Sequence, residues 1–242
     1  LANQLFSAPT REALVARIRR EQAELAAAPA PVAETAPAAP APAAARQLER
    51  VTVPVPPDLE RHVLREVPLP QIYPYLNLQM LYGKHLGVRG PVERLLESGD
   101  AKVREVHEID EELKRDAVGR GLLHAHGAYQ WYRARAAGDT LTLLDGAGRE
   151  AARFDFPRQP AGERLCLTDY VRDDADDYVA LFAVTCGSGV RELAAAWKDR
   201  GEYVRSHALQ ALAIECAEAF AEMRHSRLRT RCGFPGPPEL SI

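Results

Sequence analysis

Leu209, Leu212, Ala213, Cys216, Phe220 and Met223 recur at offsets of three, four and seven. That spacing places them on one face of a single long helix over about residues 206–229. Glu215, Glu218 and Glu222 fall on the opposite side, where a solvated face is the default reading. A helix with such a stripe has to bury it against other elements, which commits the chain to a packed core. What precedes it supplies partners. Tyr178 to Thr185 is an almost wholly apolar run of strand length and reads as a buried strand. Gly187 and Gly189 then break the backbone, residues 190–199 read as a first helix, and Gly201 interrupts before the long one.

The remainder divides into a leading segment, a spacer and a folded body. Residues 10–25 read as a helix that Thr10 caps, with Leu14, Ile18 and Leu25 apolar among charged neighbours. Residues 26–45 are almost only Ala, Pro and Val. Proline every two or three positions blocks a helix and favours an extended spacer that has little large apolar surface to bury. The expected domains are therefore residues 1–25, a linker over 26–48, and a body over 49–242. In the body a short helix is expected over 58–66, after Pro56-Pro57. The aromatic-rich stretch 67–84 reads as part loop and part helix. Further helices are expected from Gly90-Pro91 and over 101–117. The pattern then changes to short strands at 121–126, 128–133, 140–144 and 151–156. Asp145-Gly146-Ala147-Gly148 supplies a hairpin turn between the last two. Antiparallel strands among helices point to an α+β fold, a twisted sheet flanked by helices, rather than a repeating βαβ array.

Motifs narrow the chemistry by exclusion. With 31 basic and 34 acidic residues, nothing favours a nucleic-acid backbone or a membrane surface as partner. No apolar run approaches the roughly 20 residues a bilayer span needs. The four cysteines, Cys166, Cys186, Cys216 and Cys232, show no paired spacing and read as reduced thiols of a cytoplasmic protein. The missing initiator Met points to a piece of a longer chain. Gly187-Ser188-Gly189 sits where phosphate loops sit, but without a third glycine or a Gly-Lys-Ser/Thr it reads as turn geometry. His124 and His126, two apart on a strand, share a face and could together ligate a metal, yet no third ligand stands at a familiar spacing. A carboxylate from the Glu215, Glu218, Glu222 row that faced a cleft would bind a cation such as a sulfonium or an ammonium.

Two stretches carry a resemblance. Asp177-Tyr-Val-Ala-Leu-Phe-Ala-Val-Thr-Cys-Gly187, followed by Ala211-Leu-Ala-Ile-Glu-Cys-Ala-Glu-Ala-Phe-Ala-Glu222, resembles the activation domain of cobalamin-dependent methionine synthase. Tyr73-Pro-Tyr-Leu-Asn-Leu-Gln-Met-Leu-Tyr-Gly-Lys-His-Leu-Gly87 is similar to the opening segment of its shorter bacterial form. The resemblance covers roughly residues 51–242, and the leading residues 3–22 resemble the end of the cobalamin-binding domain that precedes it in that family.

What the resemblance implies is a methyltransferase fragment with a repair function. S-adenosylmethionine would be held here for reductive remethylation of inactive cob(II)alamin. Cobalamin would be held mainly by the neighbouring domain of the same chain, and a flavodoxin-like donor would supply the electron. Zinc would belong only to other domains of the full enzyme. Carried over residue by residue, the cofactor-binding set is Glu218, with Asn77 or Gln71 where the family has an aspartate. No catalytic side chain and no metal ligand is implied. Two departures stand out. The family helix pattern Asp-Arg-Leu-Ala-Glu-Ala reads Ile214-Glu-Cys-Ala-Glu-Ala219, with Glu215 in the Arg position. Residues 233–235, Gly-Phe-Pro, match the spacer before the family's Arg and Gly-Tyr-Pro ligand signature, so that signature is expected beyond Ile242. The alternative expectation is a non-catalytic docking module that kept the fold and lost the ligand signature.

Overall fold

The computed structural model of the chain describes residues 12–13, 15–20 and 52–236. Contacts divide the chain into two units, Leu1–Gln47 with Gln159–Arg164, and Leu48–Arg158 with Leu165–Ile242. In the first unit the described residues between 12 and 20 are helical, as the capped pattern from Thr10 predicts, and 160–163 are bends and turns. The Ala/Pro spacer and the tail from 237 lie outside the described residues.

The second unit has an α+β architecture. Its strands are β1 (His62–Leu64), β2 (His126–Ala137), β3 (Thr140–Leu144), β4 (Glu150–Asp155) and β5 (Asp177–Thr185). Its helices are α1 (Val92–Ser98), α2 (Ala101–Arg120), α3 (Val190–Asp199) and α4 (Tyr203–Arg231), with 3-10 turns at Leu69–Gln71, Tyr73–Tyr75 and Leu167–Tyr170. A π-helical turn covers Gln79–His85. All strand pairings are antiparallel, and β2 is the spine. It pairs with β5 over 126–134, while β1 takes 127–129 and β3 takes 133–137. Because β5 overlaps both of those stretches, β1 and β3 must share the opposite edge of β2.

Local chemistry sets the element ends. Asp100 caps α2 by accepting from the Lys102 and Val103 amides at 3.0 and 3.1 Å, and Gly121 closes that helix with φ 63°. Asp145 Oδ1 accepts from the Ala147 and Arg149 amides, both at 2.9 Å, and so holds the expected hairpin turn between β3 and β4.

The main core lies between α4 and the elements before and beside it. Leu209, Leu212, Cys216, Phe220 and Met223 are all fully enclosed, as the stripe requires. They pack with Ile72, Leu81, Tyr82, Val103 and Leu113. Along β2, Tyr129 and Trp131 join Leu228 of α4 on one face, while Ala134 on the other face packs with Leu141, Leu143 and Phe156. One close approach fixes the distance of α4 from the sheet. A Cβ on Gly127 would meet the Ala183 carbonyl at 3.2 Å and Phe220 Cζ at 3.3 Å, so only glycine fits there without a shift.

Three expectations change. The stretch 58–66 is not helical, because His62–Leu64 pairs with β2 as β1 and His62 stacks on Tyr129 at 4.6 Å. Strand β5 is present but not buried. Among the described residues it has a neighbouring strand on one edge only, and Leu181 and Phe182 are 42% and 37% exposed. The strands expected at 121–126 and 128–133 are one strand from His126, and His124 makes only a lone bridge to Gly187.

Candidate functional site

The two stretches that carry the resemblance form two walls of one cleft of about 390 Å³. One wall is the middle of α4, with Ile214, Glu215, Glu218, Ala219 and Glu222. The other runs from Tyr75 and Asn77 through Met80 to Lys84 and His85, on and around the π-helical turn. On a helix, positions 215, 218 and 222 are one turn and then two turns apart on one side, so three carboxylates line the same wall. Turns of the π type recur at functional positions because the extra residue displaces side chains from the helical rows.

Glu215 corrects the reading of that row as solvated. It is only 5% exposed, and its Oε1 accepts from His85 Nε2 at 2.9 Å across 130 residues of sequence. His207 Nε2 lies 2.8 Å from the carbonyl oxygen of the same His85 and clamps the turn to α4 a second time. A buried carboxylate needs such a donor, since leaving it unmatched costs about 1–3 kcal/mol or more. Glu218 is exposed to the cleft and Glu222 half-buried, and among the described residues neither has an ion-pair partner. Asn77 Oδ1 accepts from the Met80 amide at 3.0 Å, which leaves its amide nitrogen, a donor, for the cleft. Gln71 is placed elsewhere. It is exposed, accepts from Arg227 Nη2 at 2.9 Å, and does not line the cleft.

The two histidines face one carboxylate. His124 and His126 stack at 6.4 Å, and Glu66 lies 3.1 Å from His124 Nδ1 and 3.4 Å from His126 Nε2. Hydrogen bonding to His124 holds the Glu66 carboxyl below its ordinary range. Among the described residues no group of three or more His, Cys, Asp or Glu side chains is arranged to hold a metal ion. Gly187-Ser188-Gly189 is a turn into α3, with Gly189 at φ 78°.

The cleft thus joins an aliphatic and aromatic lining of Tyr75, Met80 and Ile214 to two unpaired carboxylates and a free amide donor. That combination suits a small ligand with an apolar body and positive charge. Lys84 and His85, which sequence reasoning did not single out, complete it from the far wall. Both lie within the resembling stretch 73–87, but no spacing marks them as cleft residues.

Fold and cleft together define a helix-backed antiparallel α+β domain with an acidic cleft. Residues 68–239 match the family described as vitamin B12 dependent methionine synthase, activation domain, and the chain belongs to that family. It is 25% identical over 203 residues to the methionine synthase of Mycobacterium tuberculosis (strain ATCC 25618 / H37Rv). That similarity covers 77% of this chain and 17% of the relative, so the chain spans about a sixth of the relative's length. Among solved structures, a crystal structure of the MetH reactivation domain bound to AdoHcy matches with a TM-score of 0.67 at 23% identity. The match covers 74% of this chain and 58% of that one, and it shows the shared fold. No helix among the described residues is long and apolar enough to cross a membrane.

Proposed function

We propose that this chain is the S-adenosylmethionine-binding activation domain of a cobalamin-dependent methionine synthase, a methyltransferase. It would hold the methyl donor for reductive remethylation of inactive cob(II)alamin. The observation that carries the reading is the cleft, where Glu218 and Asn77, the residues the family resemblance assigns to the ligand, come together beside Glu222. The likeness in fold to a reactivation domain that carries AdoHcy supports it.

The residues present fit such a ligand. A volume of about 390 Å³ lies within the usual range for small-molecule sites, roughly 300–1,000 Å³. Glu218 and Glu222 offer negative charge to the sulfonium and the α-ammonium, and Asn77 offers a donor. Tyr75, Met80 and Ile214 line the cleft with apolar surface that displaces water, which strengthens those charge interactions. The protein's task in this reading is positioning: it holds a methyl sulfonium in one place so that a neighbouring domain can bring cobalamin to it. The segment 1–25 is then the end of that neighbour and 26–48 the hinge, in a cytoplasmic enzyme served by a flavodoxin-like electron donor.

One observation favours a second reading, a docking module without ligand. Glu215 stands where the family pattern has Arg, and it is buried against His85 rather than free for a ligand. Calorimetric titration of S-adenosylmethionine separates the two readings. The ligand is added to this chain, to one extended past Ile242, and to the whole natural protein with and without Glu218→Gln. Binding is expected in the whole protein, weakened about tenfold by Glu218→Gln, the scale of one charge-assisted contact. Binding by none of the forms would leave the docking reading.

A further inference from the structure

The last third of α4 carries a second charged cluster, on the side turned to the sheet and away from the cleft. Arg224, Arg227 and Arg231 are three and four residues apart and share one face of the helix. Arg224 is only 6% exposed, and its guanidinium carbon lies 5.2 Å from the centre of the Tyr129 ring and 6.0 Å from that of Phe220. Its Nε is enclosed without an acceptor. The two exposed neighbours meet neutral acceptors: Arg227 donates to Gln71 Oε1 at 2.9 Å and Arg231 to the Tyr129 hydroxyl at 2.6 Å. Among the described residues no carboxylate forms an ion pair with any of the three. Asp58 is near enough to feel Arg231, but its hydrogen bond goes to His62 at 2.8 Å.

A guanidinium keeps its charge, so enclosing Arg224 without an anion is costly. The two rings offset part of that cost through their faces and leave Nε unmatched. Helix-end electrostatics does not account for it either. Cations in the last turn meet unpaired carbonyls, which suits Arg229 and Arg231, but Arg224 lies two turns earlier. Burial first, then the charges of Arg227 and Arg231, hold the Arg224 guanidinium below its ordinary value. We propose that Arg224, Arg227 and Arg231 form a binding site for a doubly charged phosphate group, with Arg224 as its fixed base and the two exposed arginines completing it from the solvent side. Three positive charges against the one negative charge of Asp58 leave two, which a phosphate dianion neutralises and a single carboxylate does not. The planar fork of arginine also matches two phosphate oxygens at once. The phosphate is either free or the ester of a larger molecule. The site is separate from the cleft and does not depend on the S-adenosylmethionine reading.

The test adds inorganic phosphate, methyl phosphate or acetate to the whole natural protein at one ionic strength set with chloride, and reads thermal midpoint and calorimetric affinity. Phosphate is expected to raise the midpoint, because it binds the folded state alone, and acetate to raise it far less. Arg224→Met, similar in length but uncharged, is expected to weaken phosphate about tenfold or more, the scale of one charge-assisted contact, and to lose most of the rise. Without phosphate the same variant is expected to melt above wild type, since the unmatched buried cation is gone. A residue that only packs against the two rings would give the opposite sign. Arg224→Lys, which keeps the charge but not the fork, is expected to retain part of the phosphate effect. Tighter binding of methyl phosphate than of inorganic phosphate assigns the site to a phosphorylated molecule, and the reverse order assigns it to free phosphate; either supports the proposal. No phosphate shift in wild type, an equal shift in wild type and Arg224→Met, or an equal shift by acetate overturns it.

Discussion

Residues of one chemical type do different jobs here according to what they meet. Glu215, Glu218 and Glu222 read alike in the sequence, but Glu215 is enclosed against His85 and the other two stand unpaired in the cleft. Nothing in helical spacing separates them, because the donor that buries Glu215 comes from 130 residues away. Asp169 is a second case in which partners decide. Arg158 grips it with Nη1 and Nη2, both at 2.8 Å, and also reaches Asp139 at 2.7 Å. These hydrogen bonds from the guanidinium, with one from the Cys166 amide, hold the Asp169 carboxyl below its ordinary range. A carboxyl lowered by folding contributes stability that is present above the unfolded value of about 3.9 and is lost as pH falls through the lowered folded value. Asp169→Asn is therefore expected to lower stability at neutral pH and to flatten its fall below about pH 4. Urea unfolding at a series of pH values measures both effects. Curves for wild type and variant that stay parallel down to pH 2 would refute it.

Among the elements, helix ends and helix faces follow from different information. The start of α2 is local: Asp100 accepts from two amides of the first turn, and no distant residue is involved. Asp100→Ala is expected to cost about 1 kcal/mol, measured as a fall in the urea midpoint with an unchanged slope. Local signals of this sort made much of the fold legible. The α4 stripe, the Gly201 break, the hairpin turn at Asp145 and the antiparallel character of the sheet all follow from nearest neighbours and period. What was not legible depends on long-range pairing. The 58–66 stretch has short-range features compatible with a helix, yet the exposed backbone of β2 captures His62–Leu64. The run in β5 is apolar enough for a central strand, but its place beside β2 alone leaves Leu181 and Phe182 exposed. The candidate site shows the same division. Glu218 and Asn77 were found through their similarity to a family, whereas Lys84 and His85 needed the packing of the π-helical turn on α4.

At the scale of the whole molecule, one core joins the sheet end, the π-helical turn and α4, and the cysteines report on it. All four are free thiols. Cys186 follows β5, and its Sγ donates to the Cys216 carbonyl of α4 at 3.4 Å, so the pair spans the junction between sheet and helix. Burial pushes the Cys186 thiol up to about 12, and it pushes Cys216 further above the ordinary thiol range near 8.5. Cys232, at the end of α4, is only partly enclosed, and burial raises its thiol too. The thiolate is the reactive form, so at pH 8 the two core cysteines are protected twice, by access and by protonation. A thiol reagent is expected to label Cys232 first in the native protein. Labelling of Cys186 and Cys216 is expected to wait for opening of the whole core, with a urea midpoint that coincides with loss of the helical signal. Cys166, enclosed near Phe156 beside the other face of the sheet, reports on that second cluster. Labelling of Cys186 and Cys216 at the rate of Cys232, without denaturant, would mean that α4 leaves the sheet on its own. The cleft built on α4 would then lose the rigid wall that holds Glu218 and Glu222 in place.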